Sequence, residues 1–129
     1  MQCTPADGAG LFLWRGDRFR NGNPRLSVSS VAANGYGRFL VKSRDGRRAY
    51  NHDELDEIAP LCTQQGVGLS LWGYHYFADA DDRWLPETSY QEQVAQRIVH
   101  DCEKYRPTEY ILNLERHCSY VEARKCGLS

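Results

Sequence analysis

Four strand-like runs, separated by segments of helical length, constrain the fold of this chain more than any other feature. The runs are rich in leucine, valine and aromatic residues and are apolar on both faces, as the strands of a buried parallel sheet are. Strands that alternate with helices are joined by right-handed crossovers and form a parallel sheet covered by helices. We therefore predict an α/β fold of order β-α-β-α-β-α-β, with strands over residues 10–16, 38–43, 67–77 and 110–115.

The three intervening segments carry apolar residues at helical spacing. The first predicted helix covers residues 24–34, and the most regular one covers 89–105. The middle helix lies within 53–65, where an interior proline removes a hydrogen bond and clashes with the preceding turn. We expect its main part to begin near Pro60, after a short turn, and Gly66 to cap its carboxyl end.

The composition predicts one domain over residues 1–129, with a β/α region over 10–116 and an irregular or short helical tail over 117–129. Sixteen basic and 17 acidic side chains nearly cancel, and no block of like charge marks a nucleic-acid or membrane surface. The amino terminus lacks the pattern of a signal peptide, and no apolar run approaches the roughly 20 residues of a membrane helix. We expect a cytoplasmic protein, with export by another route left open.

The densest basic group and the cysteines both favour ordinary structural explanations. A solvated loop is a better explanation for the basic group than a phosphate site. Its members are Arg38, Arg44, Arg47 and Arg48. The five cysteines are odd in number and show no CxxC spacing, so we predict neither a disulfide framework nor a zinc site. Cys62 and Cys102 lie on apolar helix faces, where they are expected to pack as small hydrophobic residues.

The last strand delivers two polar side chains to one face. Asn113 and Glu115 are two residues apart, so they point the same way at the carboxyl end of the strand. That end is where alternating β/α proteins place their active sites. We predict Glu115 as a general acid or base, whose pKa an apolar, aromatic surrounding would raise. The alternative is a structural carboxylate paired with Arg116 or Lys42.

The third strand carries three aromatic side chains on one face. Trp72, Tyr74 and Tyr76 are spaced by two and can form a stacking surface for sugar rings. An aromatic core is an equally good explanation, and the two coexist if only the carboxyl half of the strand faces a cavity. His75 lies on the opposite face, where we expect a packed, hydrogen-bonded histidine.

The second strand contains a lysine, which is rarely buried without a partner. Lys42 either points inward and pairs with Glu115 or Asp45, or points outward as a surface charge. Asp45 precedes Gly46 and is more typical of a turn residue than of a catalyst.

Three motifs carry a family resemblance. The segments RFLVKSRDG, QQGVGLSLWGYHYF and YILNLE resemble the TIM-barrel glycoside hydrolases of the family 25 muramidases and related uncharacterised bacterial and phage barrels, over about residues 10–116. The resemblance implies a half of a TIM (β/α)8 barrel acting on a carbohydrate, with Glu115 as proton donor and without a cofactor or a metal. Asn113 stands where the muramidases have an aspartate. The muramidases have another aspartate on the first strand, where this chain has Trp14 and Arg15.

These departures leave hypotheses of different classes, since glycoside hydrolysis normally uses two carboxylates. One is a hydrolase in which Glu115 is the acid or base and Asn113 positions the substrate, with the aromatic residues of the third strand as the sugar platform and Lys42 and Asp45 at the rim. The second is a non-catalytic, carbohydrate-binding or oligomerising fragment. The third and weakest is a metal-dependent hydrolase, with ligands from Asp79, Asp81 and His75.

The four predicted strands are half of the eight that close a TIM barrel. The chain is therefore a fragment, pairs with a second copy, or closes as a small open α/β sandwich. We favour the half-barrel, and an exposed apolar face predicts a homodimer.

Overall fold

The computed structural model describes residues 9–75 and 88–114, in which strands and helices alternate along the chain. The strands are β1 (Gly10–Leu13), β2 (Arg38–Asp45), β3 (Arg48–Ala49), β4 (Gly68–His75) and β5 (Glu109–Leu114). The helices are α1 (Pro24–Ala33), α2 (His52–Gln65) and α3 (Thr88–Tyr105), with a short 3₁₀ segment at Phe19–Gly22. The predicted tail and the last residues of the third and fourth predicted strands lie outside the described ranges.

Four strands form one parallel sheet in the order β1-β2-β4-β5, and β3 pairs antiparallel with the end of β2. Each long strand lies beside the next one along the chain, because α1, α2 and α3 supply the three crossovers. The predicted α/β class and parallel sheet are confirmed.

The hydrophobic core lies between the sheet and the helices. Alternate side chains of the strands meet the apolar sides of the helices, and each aliphatic or aromatic side chain buried in this way contributes about 1.5–3 kcal/mol. The most deeply buried members are Val28, Val31, Phe39, Val41, Leu55, Ile58 and Leu71. Cys62 lies in this core as predicted, and burial raises the pKa of its thiol to about 12, which makes it unreactive.

Helix α2 differs from its prediction. It begins at His52 and continues through Pro60 without a break, so the expected start near Pro60 was wrong. Pro60 is exposed, and water can satisfy the carbonyl that its missing N–H leaves unbonded. The predicted cap is confirmed: Gly66 has φ +69°, and the N–H of Val67 donates to the Cys62 carbonyl at 2.9 Å.

Strand β2 runs two residues past its predicted end and contains a β-bulge. Lys42 pairs with Trp72 and Arg44 pairs with Gly73, so Ser43 is an extra residue in the ladder. The bulge changes which way the following side chains point. Ser43 and Arg44 both lie on the helix side, whereas Asp45 falls on the same face as Lys42.

The face of the sheet opposite the helices is called the open face. In the described part of the chain, α1, α2 and α3 all pack on the other side. At its amino end, the Arg38 guanidinium and the Ser70 hydroxyl both donate to the Glu109 carboxylate. The middle is apolar and contains Phe12, Leu40, Trp72 and Ile111. None of the described helices is both long and apolar enough to cross a membrane.

Candidate functional site at the carboxyl edge of the sheet

The carboxyl ends of the four parallel strands bring polar and aromatic side chains to one edge of the sheet. Trp14 follows β1, Lys42 and Asp45 lie on β2, Tyr74 lies on β4, and Asn113 lies on β5. The register aligns Asp45 with Tyr74 and Tyr74 with Asn113, so three strands contribute to one row. This edge is where parallel β/α proteins bind their ligands.

Lys42 lies at the centre of an aromatic cage formed by Trp14, Tyr50, Trp72 and Tyr74. Its Nζ is 4.1 Å from the ring centre of Tyr74, 4.3 Å from Tyr50, 4.8 Å from Trp14 and 5.7 Å from Trp72. The side chain is 1% exposed. A desolvated ammonium over an aromatic ring gains about 2 kcal/mol, so several rings offset much of the cost of burying this charge.

Asp45 supplies the counter-charge to the caged lysine. Its Oδ2 lies 3.5 Å from the Lys42 Nζ, and its side chain is 29% exposed. The adjoining turn is fixed by the N–H of Gly46, which donates to the Tyr74 carbonyl at 3.0 Å. The carboxylate therefore bridges a buried cation and the solvent-facing surface.

The cage rings also pack against one another. Trp14 and Tyr74 meet edge-to-face with ring centres 5.5 Å apart, and Trp72 and Tyr74 do so at 5.6 Å. Phe12 contacts the Trp72 ring at 5.9 Å. Such pairs prefer this geometry and add about 0.5–1.5 kcal/mol each beyond their burial. The cluster is a packed aromatic layer whose outer members, Phe12 and Trp14, are more than half exposed.

Trp14 separates two cavities. The apolar groove has a volume of about 520 Å³ and is lined by Phe12, Trp14, Trp72, Ile111, Leu112 and Asn113. The polar cleft has a volume of about 470 Å³ and is lined by Trp14, Arg15, Asp17, Asp45, Arg48, Ala49, Tyr50, Asn51 and Glu54. An apolar surface with a few convergent polar groups is typical of small-molecule and oligosaccharide sites.

Asn51 fixes the backbone beneath these cavities. Its Nδ2 donates to the carbonyls of Trp14, at 2.7 Å, and Lys42, at 3.0 Å, while its Oδ1 accepts from the N–H of Gly16 at 2.8 Å. One amide side chain thus joins the ends of β1 and β2. No local sequence pattern predicts this role, because its partners lie 9 to 37 residues away.

A buried ion pair supports the edge from the helix side. The Arg44 guanidinium donates to both carboxylate oxygens of Asp101, at 2.7 Å each, and His52 Nε2 lies 3.6 Å from the same carboxylate. Burial alone would raise the pKa of Asp101, but the hydrogen bonds and charges of Arg44 and His52 lower it to about 2. One signal was available: Asp101 follows Val94 and Ile98 on the apolar stripe of its helix, where an acid requires a partner.

The predicted loop environment was wrong for two members of the basic group. Arg44 is buried in its pair with Asp101, and Arg38 is partly buried beside Glu109. Sequence reasoning missed both partners because they are more than 50 residues away. Arg47 and Arg48 do lie in the exposed β2–β3 hairpin, as expected.

Two alternatives left open by the sequence are resolved by the described residues. Lys42 points to the open face and pairs with Asp45. Trp72 is only 6% exposed and donates from Nε1 to the Leu40 carbonyl at 3.2 Å, so it is packed within the aromatic layer on the open face. Tyr74 is half-buried in the cage, and Asn113 is exposed beside the apolar groove. The exposed aromatic surface comes instead from Phe12 and Trp14, which sequence reasoning did not select.

His75 is packed and hydrogen-bonded, as predicted. Burial lowers the pKa of its imidazole, while a hydrogen bond with Gln91 of α3 raises it in part. Glu115, Tyr76, Asp79 and Asp81 lie outside the described residues.

Comparison with known proteins gives no assignment: no protein-family model, curated protein or solved structure matches this chain. Within residues 9–75 and 88–114, the histidine, cysteine and acidic side chains form no group of three suited to a metal ion. The chemistry of the site itself therefore guides the functional inference.

Proposed function

We propose that the carboxyl edge of the sheet binds a polysaccharide and that the protein is a glycoside-hydrolase-like enzyme. The observation that carries this proposal is Trp14, a half-exposed ring that separates an apolar groove from a polar cleft. An aromatic face matches the C–H face of a sugar ring. Asn113 in the groove and Asp45 in the cleft supply hydrogen-bonding groups for sugar hydroxyls on either side.

In this proposal Glu115 is the general acid. It follows Asn113 by two residues, and strand alternation assigns both to one face. Its proton passes to the glycosidic oxygen as the bond to the anomeric carbon breaks. Water supplies the new hydroxyl, and the proton that this water loses passes to solvent, from which Glu115 is protonated again. Asn113 is neutral and cannot serve as the base, so it holds substrate by hydrogen bonds.

The competing function is carbohydrate binding without hydrolysis. Asn113 favours this function. It is the polar residue among the described lining of the apolar groove, and it is an amide, whereas hydrolysis would use a carboxylate. An apolar groove with one amide is sufficient for sugar binding.

Release of reducing sugar from peptidoglycan and chitin tests the proposal. We expect Glu115→Gln to lower this activity by about 10²–10⁴-fold, the usual contribution of a general acid. Trp14→Ala should weaken sugar binding, which is measured by the quenching of tryptophan fluorescence. Glu103→Gln, at an exposed position of α3, is the matched carboxylate control and should retain activity.

Each contrary outcome has a definite meaning. Full activity of Glu115→Gln would remove the assigned acid. Binding that depends on Trp14, without any hydrolysis, would establish the non-catalytic function. A wild-type chain that neither binds nor cleaves any of a panel of polysaccharides would overturn the proposal.

We further propose that the sheet is half of a TIM barrel and that a second copy completes it. The support is the consecutive order of parallel strands, the helices on one side, and Phe12, which is 60% exposed on the open face. Within the described residues, β1 and β5 each have one strand neighbour. In a symmetric pair, β5 of each copy would lie beside β1 of the other and close eight strands.

Light scattering of the purified chain tests this assembly. We expect a mass of twice the 14.8 kDa chain. Phe12→Lys places a charge on the apolar part of the open face and should shift the mass to that of one chain. Leu26→Lys is the matched control, because Leu26 is a comparably exposed apolar residue on α1 and should leave the dimer intact. A wild-type monomer at high concentration would contradict the proposal.

A further inference from the structure

We infer that Asn51 is a positioning residue of this site, whose side chain holds the Trp14 ring at the boundary between the apolar groove and the polar cleft. Trp14 is the proposed sugar platform, so this inference rests on the proposed function. The last ladder pair between β1 and β2 joins Leu13 to Val41, and Trp14 follows it. The Trp14 ring is 52% exposed, so the backbone that carries it requires a support other than strand pairing.

The Asn51 amide continues the hydrogen-bonding pattern of a parallel strand beyond that last pair. In a parallel ladder, a residue donates to the carbonyl that precedes its partner and accepts from the N–H that follows it. Asn51 Nδ2 donates to the Trp14 carbonyl at 2.7 Å, and Oδ1 accepts from the Gly16 N–H at 2.8 Å. These two backbone groups flank Arg15. The side chain therefore takes the place of a strand residue opposite Arg15.

The same amide also reaches the neighbouring strand. Asn51 Nδ2 donates to the Lys42 carbonyl at 3.0 Å, just before the bulge at Ser43. A side-chain amide has two N–H donors, and here both bind backbone carbonyls. The effect of Asn51 on a bound sugar is therefore transmitted through the position of Trp14.

The backbone of Asn51 indicates that this role has a cost elsewhere. The residue has a left-handed conformation, with φ +54° and ψ 23°, which few residues other than glycine and asparagine adopt readily. It precedes α2 at the cap position, yet its side chain makes no cap hydrogen bond, although asparagine is among the best helix caps. Uncommon backbone conformations of this kind concentrate at functional sites.

Gly16 allows the close approach on which these hydrogen bonds depend. A Cβ at this position would lie 3.2 Å from Asn51 Oδ1 and 3.0 Å from Glu54 Cγ. The loop after β1 can therefore meet the start of α2 only because Gly16 has no side chain. Gly16→Ala should displace the same segment as loss of the Asn51 amide.

Fluorine NMR of protein labelled with 5-fluorotryptophan tests the position of Trp14 without any sugar, and Trp14→Phe identifies its resonance. We expect Asn51→Gly to move this resonance toward that of free 5-fluorotryptophan. Glycine adopts φ +54° readily, so the variant removes the amide with little backbone strain. Asn21→Gly is the matched control, since Asn21 is an exposed asparagine with φ +57°, and it should leave the resonance unchanged.

Titration with chitin oligosaccharides measures the consequence for binding. Asn51→Gly should weaken the affinity by about tenfold, because a mobile ring must then be ordered when the sugar binds. In the Trp14→Ala background, Asn51→Gly should cause no further loss, since its effect passes through that ring. Additive losses would show that Asn51 acts on the sugar by another route and would overturn the inference.

The fluorine measurement separates this inference from the proposed function. An unchanged Trp14 resonance in folded Asn51→Gly, with folding checked by thermal unfolding, would overturn the inference even if the chain binds sugar through Trp14. A displaced resonance in a chain that binds no polysaccharide would confirm that Asn51 positions Trp14 and would overturn the proposed function. If Asn51→Gly does not fold, Asn51→Asp provides the same test, because it keeps the size and the acceptor oxygen but loses both donors.

Discussion

Replacing Asp101 with asparagine is expected to lower the free energy of unfolding by about 3–5 kcal/mol. The carboxylate is fully buried and binds Arg44 through two hydrogen bonds of 2.7 Å. Asparagine is similar in shape but neutral, so the variant retains a buried guanidinium without its counter-charge. Urea unfolding at neutral pH measures the loss directly.

The double variant Arg44→Met/Asp101→Leu is the control. It removes both charges together, so it should be clearly more stable than Asp101→Asn, as replacement of a buried pair by apolar residues often is. Equal destabilisation of the two variants would show that packing, rather than an unpaired charge, causes the loss.

The same ion pair makes the stability of the folded protein fall at acidic pH. Asp101 has a pKa of about 2 in the folded protein, below the roughly 3.9 of an unfolded aspartate. Its contribution to stability is therefore complete above about pH 4 and is lost as the pH falls toward 2. In Asp101→Asn, the loss of stability that this carboxylate causes between about pH 4 and pH 2 should be absent.

Gly73→Val is expected to destabilise the fold by about 3 kcal/mol through overpacking. A Cβ at this position would lie 2.6 Å from the Tyr110 hydroxyl oxygen, 2.9 Å from the Arg44 carbonyl oxygen and 3.1 Å from the Arg44 Cβ. Two of these atoms are backbone or attached directly to it, so they cannot move aside cheaply. Urea unfolding of the variant measures the cost.

Two further variants separate the steric cost from other effects. Gly35→Ala adds a Cβ into open space at a φ of +76°, so it should cost only about 1 kcal/mol of backbone strain. Gly73→Ala adds the same Cβ without the rest of the valine side chain, and Tyr110→Phe removes the oxygen nearest to that Cβ, so Tyr110→Phe should recover part of the stability lost in Gly73→Ala. If Gly73→Ala costs no more than Gly35→Ala, the close approach of β5 and β2 to Gly73 is not limiting.

The sheet was predictable because its signals are local. Strand and helix periodicities are visible within windows of 6 to 18 residues, and Gly66 reports a helix end by its own conformation. The continuous helix α2 was not predicted. Pro60 is tolerated within it because its position is exposed, and the sequence near a proline does not show whether that position is exposed.

The site was less predictable because it depends on register between strands. Lys42 and Asp45 are three residues apart, so regular alternation assigns them to opposite faces. They meet only because Ser43 is bulged out of the pairing with β4. Asp101 and Asn51 act through partners distant in sequence, and a single chain carries no direct record of such contacts.

The bulge at Ser43 also has a consequence for how this strand tolerates insertions and deletions. Side chains alternate between the two faces of a strand, so the loss of one residue normally moves every following side chain to the other face of the sheet. Here the partner strand already skips Ser43, and its deletion would leave Lys42, Arg44 and Asp45 on their present faces. The deletion would remove what Ser43 provides: its carbonyl accepts from the N–H of Tyr50 and from His52, and its hydroxyl donates to the Tyr110 hydroxyl at 3.3 Å. The length of the strand that carries the site can thus change by one residue while each of its side chains stays on the same face of the sheet.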